Sequence, residues 1–122
     1  MHYTIYSIHI TAYSPLGSPD SASMRGNTGT NLLTHDIVKE IALETSKSCG
    51  NVLIRWAYQR GTSVIPKSVT TSRIIENFDV FNWELTATQM EKLATIPQER
   101  FLTGTFWLKE GGPYRTLEDL WA

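Results

Sequence analysis

Cysteine is almost missing from this chain, with Cys49 the single one among 122 residues. One thiol excludes an internal disulfide and suits a reducing compartment, so a cytoplasmic location is expected. Excess charge of either sign is lacking too. The formal net charge is −1 and no block of like charges occurs. The sequence therefore offers no general grip on nucleic acid or an anionic membrane, and no charged interaction tail. Long apolar runs are absent as well. The opening MHYTIYSIHI lacks the basic start and extended apolar stretch of a signal peptide, and no segment approaches the length needed to cross a bilayer. Neither an internal repeat nor a low-complexity tract is evident. His2, His9, His35 and Cys49 show no metal-ligand spacing, so no metal site is expected.

What remains has the balance of an ordinary globular domain, 41% hydrophobic and 19% charged, and residues 1–122 are expected to form one unit. Ser7–Tyr13 alternates Ile8, Ile10 and Ala12 against Ser7, His9 and Thr11, which is a strand pattern ended by Ser14-Pro15. Leu16–Thr30, crowded with Gly, Pro, Ser and Asn, predicts a long loop, a feature usually functional or mobile in a compact domain. Asp36–Ser46 predicts a helix with Ile37, Val38, Ile41 and Ala42 inside. Gly50–Arg60 predicts a second, with Val52, Leu53, Trp56 and Ala57 inside, Ile54 and Tyr58 widening the stripe, and Arg55 and Gln59 facing out. Gly61 is its expected C-terminal cap.

Thr62–Pro66 predicts a short apolar strand, and Thr70–Phe78 a helix with Ile74, Ile75 and Phe78 inside. Thr86 and Gln89 form a Thr-x-x-Gln capping box, with Leu85 and Met90 as its hydrophobic staple. The tail beyond Pro97 carries Phe101, Phe106, Trp107 and Trp121 and must pack on something. Cys49, with no His or Asp motif beside it, is read as a small buried or half-buried residue rather than a nucleophile. The order strand, loop, helix, helix, strand, helix, helix is that of α/β units with parallel strands. Two strands are few for a parallel sheet, which normally has both faces covered, so the pattern reads as part of a larger barrel or sheet.

The stretch Val64–Arg73 carries the clearest chemistry. A strand ends at Pro66, hydroxyls follow at Ser68, Thr70, Thr71 and Ser72, and a helix opens between Lys67 and Arg73. Helix N-termini present unpaired N–H groups and partial positive charge, so this geometry attracts anions. Arg73 can fork onto phosphate oxygens, whereas Lys67 acts as a point charge. On the residues alone two readings stand: a phosphate site, or hydroxyls that merely cap a helix beside solvated cations.

Ile65–Asn77 (IPKSVTTSRIIEN) and Thr11–Asp20 (TAYSPLGSPD) resemble the cofactor-binding segments of the aldo-keto reductases, particularly plant members. VLIRWAYQRGTSVIPKS and GPYRTLEDLW are similar to the same family, so the resemblance covers nearly all of the chain from about Ser7. It implies an α/β fold made of the last two strands of a TIM-type (β/α)8 barrel with their helices, followed by a substrate-loop-like tail at 98–122. It implies NADP(H) as cofactor, with Lys67, Ser68 and Arg73 on the 2′-phosphate. Glu76 and Asn77 would meet the adenine, and the Arg73 plane would stack on it. Tyr13 would lie beneath the nicotinamide, and Ser14, Leu16, Ser18 and Asp20 would contact the pyrophosphate and its covering loop.

The same resemblance implies that no catalytic residue is present. The family's Asp, Tyr, Lys and His come from earlier barrel segments, and His2, His9, His35, Tyr3, Tyr6, Tyr58 and Tyr114 stand in no matching context. Reduction of small aldehydes and ketones is thus expected only of a complete barrel, which has eight strands and about 250 residues. Alone, the chain is expected to be inactive, with exposed strand edges that invite self-association. The alternative is a nucleotide-binding or protein-interaction module without catalysis. Met1–Tyr6 departs from the family pattern, which suggests an alternative start or a truncated product.

Overall fold

The computed structural model describes residues 8–19, 30–100 and 103–121. Asp20, Phe101 and Met1–Tyr6 lie outside those residues. In chain order the elements are β1 (Thr11–Tyr13), a 3-10 turn (Leu32–Thr34), α1 (Asp36–Thr45), α2 (Cys49–Gln59), β2 (Ser63–Ile65), α3 (Thr71–Phe78), α4 (Ala87–Ala94), a second 3-10 turn (Thr105–Trp107) and α5 (Leu117–Trp121). The two strands run parallel, pairing Thr11 with Ser63, Ala12 with Val64 and Tyr13 with Ile65. Ser7 of the expected first strand lies outside the described residues, and within them the strand is shortened to Thr11–Tyr13 because β2 offers no more. Gly61 and Thr62 close the helix before β2, and Pro66 ends it. His9 and Thr11 reach Ser63 Oγ at 2.9 and 2.8 Å, a side-chain extension of the ladder.

Local signals set the helix ends. His35 Nδ1 accepts from the Ile37 N–H at 3.3 Å and caps α1. At the end of α2, Gly61 N–H reaches the Tyr58 carbonyl and Thr62 N–H reaches that of Ala57, with Gly61 at φ +84°. That is a Schellman motif, and the positive φ explains the glycine. α1 ends the same way, with Lys47 N–H on the Ala42 carbonyl, but Ser46 holds the left-handed position at φ 54°. A side chain there costs about 1 kcal/mol. Ser46→Gly is therefore expected to stabilise the chain by about 0.5–1 kcal/mol, read as a rise in the urea midpoint. An unchanged or lower midpoint would refute this. Both halves of the Thr86/Gln89 capping box are present at α4.

α1 lies at the centre of the core. Its Val38, Ile41 and Ala42 meet Val52 and Leu53 of α2 on one side and Leu85 and Leu93 on the other. Salt bridge Lys92–Glu40 and the Gln89–Glu44 hydrogen bond fasten α4 to α1 across the rim.

Three expectations are corrected. Arg55 and Gln59 do not face out: Arg55 is buried and donates to the Val80 carbonyl at 2.6 Å, and the half-buried Gln59 bonds both Leu85 O and Leu85 N–H. With buried Asn51 they make an i, i+4, i+8 stripe along α2 that satisfies the irregular 79–85 backbone, a duty polar side chains meet when a connection is covered. Ile74, Ile75 and Phe78 do not face inward; all are exposed, and Phe78 meets the ring of Phe81, itself exposed, rather than the core. Tyr58 is exposed as well, its ring meeting Phe81 edge-on.

In the tail, Trp121 docks: its Nε1 donates to Thr103 O at 2.7 Å, and Arg100 lies over its ring. Gly104, at φ +81°, is buried beneath Leu120, where an added Cβ would come within 2.6 Å of that side chain. Phe106 and Trp107 pack on each other but stay exposed. No described helix is long and apolar enough to cross a membrane.

A salt bridge joins the α1–α2 connection to the end of α3. Lys47 Nζ contacts Asp79 Oδ2 at 2.9 Å, and this hydrogen bond holds the Asp79 carboxyl below its ordinary 3.8. A depressed folded-state value means stability present above 3.8 and lost as pH falls through the folded-state value. Asp79→Asn is accordingly expected to lower the urea midpoint near neutral pH and to match the parent at about pH 2. A gap of equal size at both pH values would assign the loss to something other than this carboxylate.

Candidate functional site

The carboxyl ends of β1 and β2 open into one cleft of 760 Å³. Its size lies within the roughly 300–1,000 Å³ typical of small-molecule and cofactor sites. Tyr13, Ser14, Leu16 and Ser18 line it from the β1 end, and Lys67, Ser68, Arg73, Glu76 and Asn77 from the β2 end and α3. Nine of the ten residues singled out by sequence thus share one cavity, and the tenth, Asp20, lies outside the described residues. A smaller depression of 580 Å³, lined by Leu108–Gly111 and Arg115, sits on one turn of the tail and gathers no comparable set of groups.

Each wall follows from local structure. Period-2 alternation along β1 puts Tyr13 on the face opposite half-buried Ala12, and parallel register places Ile65 beside it. Both are exposed, Tyr13 by 80%, so a flat aromatic face is available at the strand end. Ser14 then turns the chain: the Gly17 N–H returns to the Ser14 carbonyl at 2.9 Å, across Pro15 and Leu16. Ser14, Gly17 and Ser18 all adopt positive φ (50°, 77° and 45°), and the two serines, which unlike the glycine are strained there, lie close together in the way that such residues cluster at functional sites.

The β2 wall has a different character. Ser68 Oγ accepts from the Thr70 N–H at 3.1 Å, so its hydroxyl shapes the entry to α3. Thr70, the N-cap, makes no side-chain capping bond, which leaves first-turn N–H donors of α3 without their usual internal acceptor. Lys67 and Arg73 add two cations at this lip. Cationic lip, helix N-terminus, hydroxyl and flat aromatic face form a donor set suited to an anionic dinucleotide.

Sequence reasoning missed part of the lining. Leu33, from the 3-10 turn, and Ser48, Cys49 and Gly50, at the start of α2, also border the cleft. Ser48 Oγ caps α2 by accepting from Asn51 N–H at 3.1 Å. Cys49 is half-buried there. Leu33 is 20 positions from Tyr13 and Ser48 is 35, and only tertiary packing, with Leu16 and Leu33 meeting α2 at Gly50, brings them together, so no local pattern signalled them. No group of three or more His, Cys, Asp or Glu among the described residues is arranged to hold a metal.

The family model described as Aldo/keto reductase family matches residues 5–97. The chain belongs to that family. Among characterised relatives, (1S)-1,7-diacetoxy-luvungin A aldo-keto reductase of Citrus sinensis is 41% identical over 115 residues, covering 93% of this chain and 35% of the relative. NADPH-dependent codeinone reductase 1-1 of Papaver somniferum is 41% identical over 116 residues, with 94% and 35% covered. The crystal structure of an aldo/keto reductase from Brucella melitensis is similar at TM-score 0.61 and 34% identity, covering 74% of this chain and 30% of that one. The chain therefore spans about a third of the length of the aldo-keto reductases it matches. Among the described residues its open two-stranded parallel sheet with helices is a small α/β arrangement, consistent with part of a barrel.

Proposed function

We propose that this chain is the closing section of an aldo-keto reductase barrel and carries the binding half of its NADP(H) site without the catalytic half. The observation that carries the reading is the single cleft at two parallel strand ends, where α/β barrels place their ligands, lined by Tyr13, Ser14, Leu16, Ser18, Lys67, Ser68, Arg73, Glu76 and Asn77. Lys67, Ser68 and Arg73 would hold the 2′-phosphate, Glu76 and Asn77 the adenine, and Tyr13 the nicotinamide. Ser14, Leu16 and Ser18 would hold the pyrophosphate, with Asp20 on the covering loop. The bound cofactor supplies hydride for reducing an aldehyde or ketone to an alcohol. The protein's share in this section is to bind and orient it. The proton donor and its partners come from the preceding barrel segments, and residues 98–122 would form one wall of the substrate pocket.

The exposed side of the sheet gives this reading a partner. Tyr13 and Ile65 are exposed on two strands whose outer edges are unpaired among the described residues. Such edges seek another strand. The remainder of a barrel covers them in a complete enzyme, and self-association covers them when the chain is alone. Sedimentation of the purified chain should then show species larger than a monomer.

The test of function has two arms. NADPH titration, followed by cofactor and tryptophan fluorescence, should saturate. NADPH with a reactive aldehyde should show no oxidation above the rate without protein. Absence of binding by a chain that melts cooperatively would sink the half-site reading, and protein-dependent NADPH oxidation would sink the claim that the catalytic half is missing.

A further inference from the structure

α3 carries Arg73, Glu76 and Asn77 to the cleft, yet none of its own side chains is buried and its apolar residues face outward. Packing therefore does little to fix how far it projects or how it is rotated. A polar tie takes over. Asn51, in the first turn of α2 and only 1% exposed, donates from Nδ2 to the Glu76 carbonyl at 2.7 Å and to the Asp79 carbonyl at 3.1 Å. Both acceptors belong to the end of α3: the Glu76 carbonyl inside the helix, which also accepts from the Asp79 N–H, and the carbonyl of the C-cap residue Asp79. Of the other ties nearby, Lys47 to the Asp79 carboxylate and Trp83 Nε1 to the Asp79 carbonyl also hold the C-cap residue, and Arg55 holds the Val80 carbonyl beyond it, whereas Asn51 reaches inside the helix to Glu76. Asn51 Oδ1 has no partner among the described residues. A buried amide is expensive to leave half-satisfied, so its retention here points to the work done by its nitrogen.

We infer that Asn51 is a positioning residue for the nucleotide end of the cleft: by capping α3 from α2 it sets the places of Arg73, Glu76 and Asn77. The inference rests on the half-site reading above. It touches no ligand itself. Removing the amide frees the end of α3, and the groups near its start then meet a bound nucleotide less often in the right geometry.

The experiment uses the whole chain and adenosine 2′,5′-bisphosphate, which presents the adenine and 2′-phosphate without the nicotinamide. Asn51→Ala is expected to weaken its binding about tenfold, the equivalent of one or two hydrogen bonds. In hydrogen exchange, amides of Ile74–Phe78 should lose protection while those of Val38–Ala42 keep it. Asn51→Gln, which retains the donor, should recover part of both. A merely structural role is separated by a double-mutant cycle: Arg73→Ala should cost much less in the Asn51→Ala background than in the parent. Additive losses, or unchanged exchange at α3, overturn the inference. A parent that binds no bisphosphate although α3 is released in Asn51→Ala would instead defeat the half-site reading, and the positioning role with it.

Discussion

Arg73→Ala is expected to weaken NADPH binding by roughly 10- to 100-fold while leaving NADH binding nearly unchanged. The two cofactors differ only in the 2′-phosphate, and Arg73 is the one side chain of α3 lining the cleft that offers a planar, permanently charged fork. Lys67 remains in the variant as a compact cation, so some preference for NADPH should survive. Arg73→Lys keeps the charge and loses the fork, and should fall between parent and alanine variant. Fluorescence titrations of both cofactors against the three proteins decide the matter. Equal losses for NADPH and NADH would mean that Arg73 supports the fold of the cleft rather than reading the phosphate.

The second large effect concerns stability. Ile41 is fully buried at the middle of α1, between residues of α2 and α4, in a cluster of only seven buried side chains. Ile41→Ala removes methyl groups from that cluster and should cost about 2–5 kcal/mol. Small domains are stable by roughly 5–15 kcal/mol, so the loss takes a large share of the whole. The expected result is a fall in Tm of about 10 °C or more, or the disappearance of a cooperative melt. Ile75→Ala is the comparison, since Ile75 is 68% exposed on α3. It should shift stability by less than about 0.5 kcal/mol. Similar shifts in both variants would show that α3 is covered in solution, by another copy or by some further packing.

The helices α1 to α4 were legible because their signals are local, whereas α5 in the tail was not foreseen. Thr86 and Gln89 act within one turn, Gly61 satisfies a positive φ, and Val38, Ile41 and Ala42 recur at helical spacing. Asn51, Arg55 and Gln59 recur at helical spacing too, and Arg55 and Gln59 for that reason read as facing solvent. Their partners are main-chain carbonyls in an irregular connection, and a carbonyl carries no residue-type signal. Ile74, Ile75 and Phe78 show the limit from the other side. Amphipathicity says that a face wants cover, not that this length of chain provides it. At the cleft, the two motifs were readable one by one. Their meeting across the β1–β2 register, and the approach of Ser48–Gly50, depend on tertiary closure.

The β1–β2 pairing also has a kinetic consequence. The α1–α2 pair is built from neighbours in sequence, whereas Thr11 and Ser63 meet across 52 positions. Closing so long a loop for three residues of ladder is slow compared with docking adjacent helices. The strand seam is therefore expected to zip after the helices have condensed, and to unzip before they separate. Whatever occupies the cleft sits across that late-forming seam and would act as its clasp, slowing the first step of unfolding more than the last.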